Sequence, residues 1–289
     1  MNPPPQAEPS AAPELVPANS LVRALNLVGD VWTILILKEA FLGAHRFNEF
    51  LGRLAIPRQT LTQRLSALAD QQILYKRPVK RRMLVQEYHL TPKGLDLYGF
   101  ILAVWTWHRR WTPDRQFLPA VLLHEPCGMA LEPRFVCRAC DRPVRRTDVT
   151  VQPSGGTTLD PRPPARLSRQ NDVALAKAIG SADRDLVAAS VVGDRWSNLV
   201  VWAIFNGTHN FFALKQELGI SSNILSSRLK KLVTLGLIAA TPNGRRLEYA
   251  VTPQGDDVYP MMASLNTSGG PSDPASQRSA QAIRLAIMG

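Results

Sequence analysis

At 289 residues, 45% of them hydrophobic and 20% charged, the chain has room for two or three small domains that each bury a core. A net charge of +11 and an isoelectric point near 10.1 point to a polyanion such as nucleic acid, or to an anionic membrane surface, and charge alone does not choose between them. No apolar run reaches the ~20 residues that span a bilayer, and Met1 to Pro17 lacks the basic and apolar regions of a secretory signal, so a cytoplasmic protein is expected. The three cysteines, all between Cys127 and Cys140, are too few and too clustered for a disulfide framework.

In chain order, residues 1–18 are Pro-rich and read as a disordered tail. A first domain, 19–118, opens with a helix capped by Asn19 or Ser20 and a second capped by Asp30, carrying Trp32, Leu35, Ile36 and Phe41 up to a stop at Gly43. Phe47, Phe50, Leu51 and Leu54 predict a short amphipathic helix. After a turn at Ala55-Ile56, a third helix opens near Pro57 and buries Leu61, Leu65 and Leu68. Two short helices joined by a tight turn suggest helix-turn-helix. Ile73 to Tyr75 and Val85 to Leu90 predict a hairpin around a basic segment, a wing. Thr91-Pro92 then starts one long helix to Trp111, too apolar all round to lie against its own domain only, which is expected to pack on a partner unit.

Val28 to Leu74 returns without a gap as Val192 to Ile238, with 15 identities in 47 positions at an offset of 164. One structural unit is therefore present twice. The second domain, 171–266, follows the same plan. Its Tyr249-x-x-Thr252-Pro253-x-Gly255 matches Tyr88-x-x-Thr91-Pro92-x-Gly94 at an offset of 161, so the second wing is three residues shorter. Its last helix is expected to be interrupted by Pro260. Residues 267–289 read as a flexible tail with a short helix at Ile283 to Ile287.

Between the repeats, 119–151 carries His124-x2-Cys127 and Cys137-x2-Cys140. Paired ligands of this hardness suit a tetrahedral Cys3His zinc site with no position left for water, hence a structural role. Such a short ribbon draws its stability from the metal. Residues 152–170 read as a linker, whose first 13 residues, Gln152 to Pro164, can reach ~40 Å when extended. The fold class is mainly α (α+β), with two winged helix-turn-helix domains and a zinc-ribbon-like insert.

Gly-Asp-x-Trp, Gly-x-His-Arg-Phe, Leu-Thr-Gln-Arg-Leu and Tyr-x-Leu-Thr-Pro-x-Gly, in that order and spacing, resemble the bacterial HxlR-type transcriptional regulators, a branch of the MarR-like winged helix proteins. The resemblance covers Leu21 to Trp111 and Val187 to Leu265. It implies homodimers of single modules, with recognition helices in the major groove and wings near the backbone or minor groove. Here the two modules are fused, like a dimer built within one chain. No cysteine lies from Met1 to Pro126, which argues against the thiol sensing of some relatives.

With Leu61, Leu65 and Leu68 buried, Arg58, Gln59, Thr62, Gln63 and Ser66 should face outward as donors and acceptors for base edges, Arg suited to guanine and Gln to adenine. The equivalent face of the second module is Ser222, Asn223, Ser226, Ser227 and Lys230, so its half-site should differ. Arg64 and Arg228 sit at the edge of the buried seam, where each can meet a phosphate or form an internal ion pair. Lys76, Arg77, Lys80, Arg81, Arg82, Arg245 and Arg246 should add phosphate affinity with little sequence information. His45 and His209 are expected to be structural and bonded to backbone, and Trp32 and Trp196 to be core. Trp105, Trp107 and Trp111 are expected to form an interface rather than a ligand pocket.

These readings converge on a double-stranded DNA-binding regulator, acting as a monomeric pseudo-dimer or a homodimer on an asymmetric operator. A small-molecule effector is compatible with this reading, and no residue pattern identifies one. The alternative is a winged helix scaffold that binds protein through its Trp-rich helix and zinc insert. No nucleophile, base pair or open metal constellation is clustered as an enzyme would need.

Overall fold

The structure, a computed structural model, describes residues 15–17, 25, 28, 30–79, 82–111, 121–124, 127–137, 139–150, 159–161, 194–268 and 283–286. Most of both expected tails, most of the linker and the helix start at Asn19 or Ser20 lie outside them. Of that first helix only Leu25 and Val28 are described, both helical and buried.

Asp30 starts α1 (Val31–Phe41) by accepting the Thr33 backbone N–H at 3.2 Å, which satisfies one of the donors a helix N-terminus leaves open. Residues Val31 to Leu37 are all buried, making α1 the central rod of its module. α2 (Phe47–Leu54) ends at Ala55 in the left-handed region, φ 46°, and this sharp reversal swings the chain into α3 (Arg58–Asp70). Leu61, Leu65 and Leu68, one turn apart, fix the buried face of α3. Strands β1 (Leu74–Val79) and β2 (Arg82–Leu90) form the antiparallel wing, with its register shifting between Pro78 and Val79. The ladder runs further than the apolar pattern predicts, so Lys76 and Arg77 lie on a strand, as does Arg82.

The helix expected from Pro92 to Trp111 is two, α4 (Pro92–Leu95) and α5 (Tyr98–Trp111). Thr91 caps α4 by accepting the Gly94 N–H at 3.0 Å, its hydroxyl donates to Gln72 O at 2.6 Å, and its amide donates to Ile73 O at 3.0 Å. That clamp presses Gly94 against Ile73, where any Cβ would overlap the carbonyl oxygen. The turn at Asp96 and Leu97 then frees α5 to leave the wing.

The insert holds the short hairpin β3 (Leu123–His124) and β4 (Met129–Ala130), then β5 (Arg134–Cys137). Ile283–Ala286, expected as a helix, is a strand pairing antiparallel with β5, and Leu15–Pro17 pairs with Leu159–Pro161. Bonding to a distant strand overrides the local pattern in both places.

The second module repeats the first: α6 (Arg195–Phe205), α7 (Phe211–Leu218), α8 (Ser222–Thr234), β6 (Ile238–Asn243), β7 (Arg246–Val251), α9 (Pro253–Asp256) and α10 (Tyr259–Ser268). Gly255 lies against Leu237 O as Gly94 does against Ile73 O. Pro260 does not interrupt α10. It occupies the first turn, where a missing N–H costs nothing. Trp32 is buried, whereas Trp196 is only partly so.

One continuous apolar core runs through both modules, joining Phe100, Ile101 and Trp107 to Val258, Met261 and Leu265. α5 packs on α10, and its tryptophans carry their polar atoms to the other module: Trp107 Nε1 donates to Gln254 O at 2.9 Å and Trp111 Nε1 to Asp257 Oδ2 at 2.7 Å. The apolar helix packs on the partner unit as its composition requires. At the same joint Asp30 pairs antiparallel with Asp194, its own counterpart in the repeat.

Candidate nucleic-acid interface

In the first module α3 leaves Arg58, Gln59, Thr62 and Gln63 exposed, with Ser66 half-buried. The Thr62 hydroxyl donates to Arg58 O at 3.0 Å, and the Arg58 guanidinium lies 5.3 Å from the Phe47 ring centre, so α2 steadies the start of α3. In the second module Ser222, Asn223, Ser226, Ser227 and Lys230 are all exposed on α8. Ser221 caps that helix by accepting the Ile224 N–H at 3.4 Å. Both faces present amides and hydroxyls on a rigid helix, the chemistry that base edges require.

Arg64 and Arg228 turn inward. Arg64 Nε stands 3.1 Å from Asp30 Oδ1 and Arg228 Nε 2.7 Å from Asp194 Oδ2. Of the two roles open to them from sequence, the structure gives the internal ion pair.

The wing of the first module is more constrained than a run of free cations. Glu87 accepts from Arg77 Nη2 at 3.0 Å and Arg46 Nη2 at 3.2 Å, and His89 Nε2 lies 3.2 Å away. Arg77 first, then His89, hold the Glu87 carboxyl down to about 2. Stacked rings join the cluster, His89 4.4 Å from His45 and 5.5 Å from Tyr75. Arg77 is thus exposed yet engaged, while Lys76 is exposed on the same strand. Lys80 and Arg81, and the side chain of Arg82, lie outside the described residues. In the second wing Arg245 and Arg246 are exposed, and Glu248, the counterpart of Glu87, accepts from Asn243 Nδ2 at 2.7 Å. Sequence reasoning missed the Glu87 cluster, although the recurrence of Glu87 as Glu248 at the offset of 161 was a signal for it.

His45 and His209 are structural, as expected. Their Nδ1 atoms lie 3.4 Å from Tyr88 O and 3.0 Å from Tyr249 O. Each also anchors its wing, since Tyr88 N donates to His45 O and Tyr249 N to His209 O. Glu49 accepts the His45 and Arg46 amides at 2.8 and 2.9 Å, which holds its carboxyl below the usual range.

In the insert, His124 and Cys127 come together, Nδ1 to Sγ 3.2 Å. The two proposed ligand pairs sit in turns of one design. Cys127 N and Gly128 N donate to His124 O at 3.1 and 2.7 Å, and Cys140 N and Asp141 N donate to Cys137 O at 3.2 and 2.7 Å. Each turn ends on a left-handed residue, Gly128 at φ 69° and Asp141 at φ 53°. The Cys137 thiol is held below its ordinary range by the Ala139 backbone N–H and then by the Cys140 side chain. The pairs do not meet, however: among the described residues no three His, Cys, Asp or Glu side chains are placed to hold one metal ion. The insert docks on the second module through Arg146, whose Nε lies 2.8 Å from Asp256 Oδ1 and whose guanidinium covers the Phe205 ring at 5.4 Å.

The HxlR-like helix-turn-helix family matches residues 27–116 and 191–272, more than half of the chain and one match on each module. The chain belongs to the HxlR-like helix-turn-helix family. The HTH-type transcriptional regulator Rv3095 of Mycobacterium tuberculosis is 37% identical over 137 residues, 47% of this chain and 87% of that relative. YvaP of Bacillus subtilis, another HTH-type transcriptional regulator, is 31% identical over 85 residues, 27% of this chain and 77% of that one. The crystal structure of PA1607 is 27% identical with a TM-score of 0.42, covering 46% of this chain and 92% of that one. This HxlR-like chain is thus about twice as long as the mycobacterial regulator. No helix among its described residues is long and apolar enough to cross a membrane.

Proposed function

We propose that the chain is a cytoplasmic transcriptional regulator that binds double-stranded DNA with both modules at once, an intramolecular pseudo-dimer on an operator of two unlike half-sites. The observation that carries the reading is the pairing of Asp30 with its own counterpart Asp194, which supports a two-fold relation between the modules. A two-fold relation suits α3 and α8 to successive major-groove segments about 34 Å apart. The unlike half-sites follow from the unlike faces, Arg58, Gln59, Thr62 and Gln63 against Ser222, Asn223, Ser226 and Ser227. The competing scaffold reading needs the Trp-rich helix as a docking surface, but Trp105 and Trp107 are buried. A role other than catalysis accords with relatives named as regulators. Binding to the preferred duplex should fall steeply with salt and drop by at least about tenfold in Arg58→Ala with Gln63→Ala. A double variant that binds as tightly as the parent excludes α3 as the reading helix.

We also propose a structural zinc ion held by His124, Cys127, Cys137 and Cys140. Support comes from the two turns of one design, each aiming its amides at the first residue of a ligand pair. Metal binding would draw the pairs together and stiffen the insert. Protein purified without chelator should carry about one zinc per chain, and Cys137→Ser with Cys140→Ser should carry none. Equal zinc in parent and variant excludes the site.

A further inference from the structure

Four residues lie in a row between the two reading helices, and all four are identical in the two repeats. Asp30 and Asp194 meet at the joint between modules, where their backbones pair antiparallel. Each carboxylate then reaches into its own module and binds the arginine midway along the reading helix, Arg64 Nε at 3.1 Å and Arg228 Nε at 2.7 Å. The arginine side chains are only 13% and 14% exposed, and the aspartates 18% and 8%. Shielding of that degree sets these ion pairs apart from loose surface contacts. The aspartates have little freedom to turn. Asp30 also accepts from the Thr33 amide and hydroxyl. Asp194 accepts from Ser197 Oγ at 2.7 Å and Trp196 N at 3.2 Å.

The neighbours of these arginines follow another rule. Gln63 precedes Arg64 and Ser227 precedes Arg228, on outward faces that differ between the modules. Reading positions diverge while the Arg-Asp-Asp-Arg row does not.

We propose that the row Arg64, Asp30, Asp194, Arg228 fixes the separation and tilt of α3 and α8, and so sets the spacing between half-sites that the protein accepts. All four are positioning residues. They touch no base, and they act by tying the joint between modules to the middle of each reading helix. The inference rests on the two-half-site reading above and adds what enforces its geometry. Binding of a rigid two-headed reader penalises any displacement of one half-site, whereas a reader with a loosened joint adapts to it.

The test uses the full chain with Asp30→Asn and Asp194→Asn together. Asparagine still caps a helix, so the substitution removes the charge that holds the arginines and spares the helix starts. Duplexes carry the two selected half-sites with the spacer lengthened or shortened one base pair at a time. The parent should lose about tenfold in affinity for a one-base-pair displacement, and the double variant less than about threefold, with affinity for an isolated first half-site unchanged. A folded double variant as selective for spacer length as the parent overturns the proposal and leaves the two-half-site reading standing. A parent indifferent to spacer length overturns both. Should the double variant fail to fold, Asp194→Asn alone gives the same reading, with full spacer selectivity again counting against the proposal.

Discussion

Gly94 and Gly255 illustrate how far a single missing atom shapes the modules. Each sits in the turn after the wing with no room for a Cβ beside a carbonyl oxygen, Ile73 in one module and Leu237 in the other. Gly94→Ala must push backbone from backbone and should destabilise the protein by about 1–3 kcal/mol. Gly52, inside α2 with open space around it, is the control, and Gly52→Ala should be neutral or stabilising by up to about 1 kcal/mol. Thermal unfolding of the two variants checks both signs. At Glu87 the prediction concerns acid. Its carboxyl is held at about 2 against an ordinary 4.5, by Arg77 first and then His89. A depressed carboxylate contributes stability that is fully present above the unfolded value near 4.5 and disappears as pH falls toward 2. Glu87→Gln has no such carboxylate, so its melting temperature should fall less than the parent's between pH 4.5 and 2. Identical pH profiles would mean that the cluster does not act in solution.

At the scale of elements, the helices were legible because their apolar residues recur one turn apart: Leu61, Leu65 and Leu68 on α3, with Leu225, Leu229 and Leu232 on α8. The repeat then fixed the order of helix, turn, helix and wing twice over, and the outward faces of α3 and α8 follow from the buried ones. Strand lengths were less legible. β1 runs through Lys76, Arg77 and Pro78 because its ladder to β2 supplies the hydrogen bonds, and side-chain pattern records none of that. The division of α4 from α5 was hidden for a related reason. It is imposed by Thr91 and Gly94 gripping Ile73, some twenty positions away, and a periodicity window does not reach so far. Arg64 and Arg228 were placed correctly at the seam, but the choice between phosphate and carboxylate needed the position of Asp30 and Asp194. The insert's attachment through Arg146 to Asp256 spans 110 positions and left no local trace.

For the whole molecule the two matches to the HxlR-like family, one on each module, and the continuous core between them describe two copies of a regulator fold packed together within one chain. Trp107 and Trp111 donate across the joint to Gln254 and Asp257, residues that the sequence offered as an apolar stripe without a named partner. The proposed zinc in the insert and the proposed role of the aspartate row at the joint would both bear on how firmly the two proposed reading helices are held. The central claim is that one chain reads two unlike half-sites. It is tested most directly by selecting bound duplexes from a random pool and measuring the mass of the complex formed on the selected sequence. One chain per duplex is expected, with two different half-sites about one helical turn apart. Selection of perfect inverted repeats only, each occupied by two chains, would contradict it.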